Sequence, residues 1–185
     1  MKTILDIKSG KAEPWARLQT AAYSLLDTPV GLDKRKHIYE GNLPSVTEIL
    51  AAEGFIDDRF FDEWSRDRGT YVHLATHLDD MGDLDEDTVD PVIVPYLEAW
   101  RRFKKESGFM VEQSEISLAS KAYHYAGTID RIGYFPAGSI TRAAVELHND
   151  GTYKIYPFND RTDKQIWLSV VAIHYWKHNN LKGEK

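Results

Sequence analysis

The period of the sequence changes at Val111, and that change limits the folds open to the chain more than any other feature. Ahead of it, apolar residues recur mainly at helical spacing. Beyond it, residues 111–119, 123–135, 140–148 and 152–158 read as strands. Lys121-Ala122, Pro136-Ala137-Gly138 and Asn149-Asp150-Gly151 are the turns between them, and the last carries the Asp-Gly hairpin signal. One more strand stands alone at the other end, over residues 3–8 (Thr-Ile-Leu-Asp-Ile-Lys), and is stopped by Ser9-Gly10. A helix follows it, with Pro14 early and Trp15, Leu18, Ala22, Leu25 and Leu26 at helical spacing. Thr28-Pro29-Val30-Gly31 is a connection, and residues 37–43 predict a small hairpin turning on Gly41-Asn42.

A helical middle comes next. Ser45 and Glu48 have capping-box spacing, and Gly54 ends that helix. Phe60, Phe61 and Trp64 predict a second short helix, residues 69–78 a third carrying His73 and His77, and residues 92–103 a fourth, closed by Ser107-Gly108. Residues 163–177 give a closing helix with Ile166, Trp167, Val170, Ile173 and Tyr175. The sum is an α/β fold with a central mixed sheet flanked by helices and an additional helical lobe. We expect one domain over residues 1–185, with residues 1–31 as strand and helix, 32–110 as the lobe, and 111–185 as sheet core and last helix.

With 185 residues the chain is long enough to bury a core without staples, and 42% hydrophobic and 28% charged residues are ordinary globular values. It has no cysteine, which excludes disulfides, zinc-thiolate sites and thiol nucleophiles. No apolar run approaches the ~20 residues of a membrane span, and the opening Met1-Lys2-Thr3-Ile4-Leu5-Asp6 meets charge too early for a signal peptide. A soluble cytoplasmic protein without a membrane partner is the expectation. The net charge of -6 argues mildly against a nucleic-acid partner. The acid is unevenly placed, however: seven of the 29 acidic residues crowd residues 79–90, which we expect to be a solvated loop or helix edge. Basic residues gather at Lys34-Arg35-Lys36, at Arg101-Arg102 with Lys104-Lys105, and at Lys8 and Lys11.

Three features carry candidate chemistry. Alternation along the first strand puts Asp6 and Lys8 on one face and Ile7 on the other. A carboxylate beside an ammonium suits a site that holds a divalent cation and polarises a water; an exposed ion pair at a strand edge explains it as well. Asp130, in Gly127-Thr128-Ile129-Asp130-Arg131, interrupts an apolar strand, where a lone carboxylate is costly without a cation or donors. A strand-end Asp paired with Arg131 or capping a turn accounts for it equally well. His73 lies on a predicted helix beside Val72 and Ala75, where a satisfied core histidine is the plainer account.

Taken together, these elements resemble the RecB-like branch of the PD-(D/E)XK nucleases, especially small phage-encoded members. The matched elements are Gly69 with His73, the strand Gly127-Thr128-Ile129-Asp130, the strand Asp6-Ile7-Lys8-Ser9-Gly10-Lys11, and Gln19 with Tyr23 as the family's Gln-x-x-x-Tyr pair. Leu43-Pro44-Ser45-Val46-Thr47 is similar to the opening of phage members. The order departs from the family, in which the Gly-x-x-Asp strand precedes the Asp-x-Lys strand. Moving roughly residues 2–31 to the junction near Ser139-Ile140 would restore it. A natural transposition, a deliberate rewiring or a misplaced segment would each give this order. The site survives if the first strand lies beside strand 123–135.

The resemblance implies a restriction-endonuclease-like core and a metal-dependent deoxyribonuclease, an exonuclease of phage-type recombination or repair in a bacterial or phage-infected cell. Asp130, Asp6 and the Ile7 carbonyl would ligate Mg²⁺ or Mn²⁺, and His73 would add a nitrogen. Lys8 would orient the attacking water. Gln19 and Tyr23 would face the DNA or brace the site, and Lys11 and Arg17 are candidate phosphate contacts. Glu115 would support a second metal. The resemblance leaves room for a homo-oligomer, since related exonucleases often form rings that enclose DNA. The alternatives are an inactive or rewired nuclease-fold module for DNA binding or assembly, a hydrolase of small phosphoesters, and an interaction domain working through the acidic stretch.

Overall fold

Strand β1 (Thr3–Lys8) is the centre of the sheet although it opens the chain. It is followed by α1 (Ala16–Tyr23), β2 (Thr28–Pro29), β3 (Leu32–Asp33), β4 (Ile38–Tyr39), α2 (Val46–Ala52), α3 (Glu63–Met81) and α4 (Val94–Ser107). The strands β5 (Met110–Ser120), β6 (Tyr125–Tyr134), β7 (Arg142–Leu147) and β8 (Tyr153–Pro157) come next, and α5 (Thr162–Asn180) closes. The computed structural model describes residues 1–33, 38–56, 63–138 and 140–181. Among these, no helix is long and apolar enough to cross a membrane.

The result is an α/β fold built on a six-stranded mixed sheet in the order β2-β5-β6-β1-β7-β8. β1 pairs antiparallel with β6, Leu5 opposite Arg131, and parallel with β7, Asp6 opposite Ala144. The first strand therefore does lie beside the strand of Asp130. Alternation along β1 holds as the sequence predicts. Leu5 and Ile7 are fully buried in a core with Trp100, Phe103, Phe109 and Phe135, built from α3, α4 and one sheet face. Leu18, Tyr23, Ile49, Tyr125 and Trp167 form a second core, shared by α1, α2, α5 and the sheet. After α1 the chain crosses to the far edge, where β2 pairs with β5.

The local signals that worked have clear causes. Ser45 caps α2 by accepting from Glu48 N at 3.0 Å while Glu48 Oε2 accepts from Ser45 N at 2.6 Å. Gly108 ends α4 with a left-handed φ of 68°.

Three local expectations need correction. Gly41-Asn42 is not the turn of a hairpin over 37–43: β4 pairs back to β3, and Gly41-Asn42 lie in a 3-10 turn after it that leads into the α2 cap. His37 lies outside the described residues. Trp64 and residues 69–78 belong to one helix, α3, not two, because burial of Val72, Ala75 and Thr76 along its inner face carries the helix through Gly69; Phe60 and Phe61 lie outside the described residues. Asp79 and Asp80 are not solvated. They sit in the last turns of α3 and bond inward to α4, leaving only the later acids exposed.

Candidate metal centre

Three side chains from distant parts of the chain converge at the middle of the sheet. His73 on α3, Glu115 on β5 and Asp130 on β6 each offer a ligand atom, and these atoms lie within 4.8 Å of one another. His73 Nδ1 is 3.5 Å from Glu115 Oε1 and 3.6 Å from Asp130 Oδ1. The other Asp130 oxygen, Oδ2, accepts the Ile7 backbone N–H at 2.7 Å, which fixes the carboxylate with Oδ1 towards His73. Glu115 holds a left-handed φ of 53°, rare for a residue with a Cβ, and strain of this kind concentrates at functional sites.

Asp6 and Lys8 lie next door. Asp6 is 1% exposed, and its Oδ2 has Lys8 Nζ at 3.0 Å without hydrogen-bond geometry. Burial pushes the Asp6 carboxyl up to about 7; Lys8 pulls it down, and the Asp130 charge pushes it up again. For His73, burial works downward, but Asp130 and Glu115 outweigh it and hold the imidazole above its ordinary range. Burial likewise works upward on Glu115, and contacts with His73 and Arg131 outweigh it and hold the carboxyl low.

The helix after β1 braces Lys8. Lys8 Nζ donates to Gln19 Oε1 at 3.1 Å, Gln19 Nε2 donates to the Tyr23 hydroxyl at 2.7 Å, and Lys8 lies over the Trp15 ring at 4.8 Å. Gln19 and Tyr23 are both buried and form the brace that reaches Lys8 from α1. Tyr23 packs on Gly127, where a Cβ would come within 2.7 Å of Tyr23 Cε1; the strand glycine makes room for the ring.

Most of the residues singled out in the sequence thus gather here, in altered relations. Glu115 joins His73 and Asp130 in the close cluster, while Asp6 pairs with Lys8 beside it. Ile7 reaches the cluster through its N–H, which the Asp130 carboxylate accepts. Lys11 is exposed near Glu13 at 3.5 Å, and Arg17 is engaged by Asp163 at 2.9 Å and Asp160 at 3.3 Å. The basic run at residues 34–36 lies outside the described residues. His73 and Glu115 border a cleft of about 590 Å³, shared with Leu32, Leu74, His77 and Thr128.

The donor set fits a hard divalent cation: two carboxylates and one imidazole, no thiolate, and Asp130 Oδ1 held ready by the bond its partner oxygen makes. No protein-family model and no curated protein matches the chain.

Proposed function

We propose that the chain is a metal-dependent deoxyribonuclease that hydrolyses DNA phosphodiester bonds with Mg²⁺ or Mn²⁺. The observation that carries this reading is the meeting of His73, Glu115 and Asp130 beside a buried Asp6-Lys8 pair, at the edge of an open cleft. The likeness of these residues to the RecB-like PD-(D/E)XK motifs gives the reaction class and supports an exonuclease of recombination or repair.

His73, Glu115 and Asp130 would hold the cation, with Asp6 as a further carboxylate beside them. When bound, the cation supplies Lewis acidity towards a phosphate oxygen and lowers the pKa of a water. Lys8 holds its ammonium at the site through Gln19, orienting the attacking water and countering charge that builds on the phosphate. The Ile7 N–H keeps Asp130 from rotating away. The Gln19–Tyr23 bond fixes the helix face from which Lys8 is steered.

Plasmid and linear DNA incubated with Mg²⁺ or Mn²⁺ test the reading. The wild type should cut, and Asp130→Asn and Lys8→Met should lose about a hundredfold or more while staying folded by circular dichroism. A folded wild type that binds DNA but leaves it intact with every divalent metal would instead indicate a nuclease-fold binding module. Cleavage of small phosphoesters in preference to DNA would move the substrate class.

A further inference from the structure

A chain of alternating charges starts at Glu115 and runs to the surface. Arg131 is fully buried; it donates from Nη1 to Glu115 Oε1 at 3.2 Å, from Nε to Asp80 Oδ2 at 2.6 Å and from Nη2 to Thr76 Oγ1 at 2.9 Å. Asp80 Oδ1 accepts from Lys104 Nζ at 2.6 Å and from Trp100 Nε1 at 3.0 Å. Lys104 also reaches Asp79 at 3.0 Å, and Arg101 ties Asp79 to Glu86 at the surface. The acids at the end of α3 and the cations of α4 form one network, and its inner end touches the candidate metal centre.

That contact is contested. Glu115 Oε1 is shared between His73 Nδ1, at 3.5 Å, and Arg131 Nη1, at 3.2 Å. A guanidinium free to choose pairs with a carboxylate through two parallel bonds. A Glu115 paired in that way would have little charge left for a cation. Arg131 is not free: the Asp130 carbonyl accepts from Nη1 at 2.6 Å and Thr76 Oγ1 from Nη2 at 2.9 Å, and Asp80 supplies the charged anchor, holding the Nε edge at 2.6 Å.

We infer that Asp80 is a positioning residue for the metal centre: by anchoring Arg131 it keeps Glu115 open to a divalent cation beside His73 and Asp130. The inference rests on the proposed reading of that cluster as a cation site. Lys104 acts in the opposite sense, since it draws on the same Asp80 carboxylate. Removing the Asp80 charge releases Arg131 towards Glu115 and weakens the cation. Removing the Lys104 charge leaves Arg131 as the cation on Asp80, with the neutral Trp100 N–H beside it, and does not weaken the metal.

Mn²⁺ titration of the intact protein without DNA, read by electron paramagnetic resonance, tests this independently of turnover. Asp80→Asn keeps the side chain's shape and an acceptor for Trp100, and should raise the Mn²⁺ Kd about tenfold or more. Asp80→Glu should recover most of the affinity, and Lys104→Met should bind as tightly as the wild type or more tightly. A general loosening of the α3–α4 contact would weaken both Asp80→Asn and Lys104→Met. Equal Kd values for wild type and Asp80→Asn, or a Lys104→Met loss as large as that of Asp80→Asn, would overturn the inference and leave the cation reading standing. A wild type that binds no Mn²⁺ would remove the cation reading itself. If Asp80→Asn does not fold, Lys104→Met decides: weaker binding overturns the proposal, and equal or tighter binding sustains it.

Discussion

Asp6 and Gly127 show how single positions tie the site to the fold. Asp6 is buried against one ammonium, an arrangement that costs the fold because desolvation of a charge is repaid only by a close, well-bonded partner. Gly127 answers a different need, the close approach of the Tyr23 ring to β6. Gly127→Ala should therefore destabilise by about 1–3 kcal/mol through overpacking, measured by urea unfolding, and Tyr23→Leu in the same background should restore part of the loss. An unchanged midpoint would mean that Tyr23 is not held against the strand. Asp6 and Lys8 were legible because period-2 alternation puts them on one strand face, whereas Gln19 and Tyr23 stood out only through the resemblance to the Gln-x-x-x-Tyr pair. Glu115 was legible only as a weak candidate. Its place in the cluster depends on a left-handed φ, which spacing arguments do not foresee.

Helix α3 shows what element-level reasoning gained and lost. Its inner face brings His73 to Asp130 and Asp80 to Arg131 from one rigid rod. The sequence starts a separate helix at Gly69, yet one helix runs through it, since packing of Val72, Ala75 and Thr76 outweighs a local penalty of about 1 kcal/mol. A Cβ at Gly69 would meet Ser9 Oγ at 3.7 Å, an ordinary contact. Gly69→Ala should accordingly raise stability by about 0.5–1 kcal/mol, read as an increase in Tm. A fall in Tm would mean that Ser9 or its loop sits closer to α3 than described. The α2 cap and the Gly108 stop were read correctly because each is a local hydrogen-bond or φ requirement. The β3–β4 pairing was misread because the strands are two residues long and carry too little pattern to fix a partner.

At the scale of the whole molecule, the first segment is threaded through everything else. β1 separates β6 from β7, α1 packs against α5, and β2 reaches the opposite edge beside β5. Deleting residues 1–31 should leave no cooperative unfolding transition, because both neighbours of the central strand lose their ladder and both cores lose a wall. A truncated chain that still unfolds in one sharp transition would contradict this topology. The α/β class and five of the six sheet strands were legible, four of them from the change of period at Val111; the sixth, β2 at Thr28–Pro29, reads in the sequence as a connection because two residues carry no alternation. Strand order was not legible, since hydrophobic alternation says which face is buried and not which strand is the neighbour. The same limit hid the charge network, whose acids and cations looked like separate surface clusters until α3 and α4 were side by side.

The central claim is that residues from α3, β5 and β6, set beside β1, form one divalent-cation site. A crystal of the intact protein soaked in Mn²⁺ and measured at the manganese edge tests it most directly. The account predicts one strong anomalous peak with His73, Glu115 and Asp130 atoms about 2.0–2.6 Å away. No peak at that position, with Mn²⁺ ordered elsewhere on the protein, would contradict it.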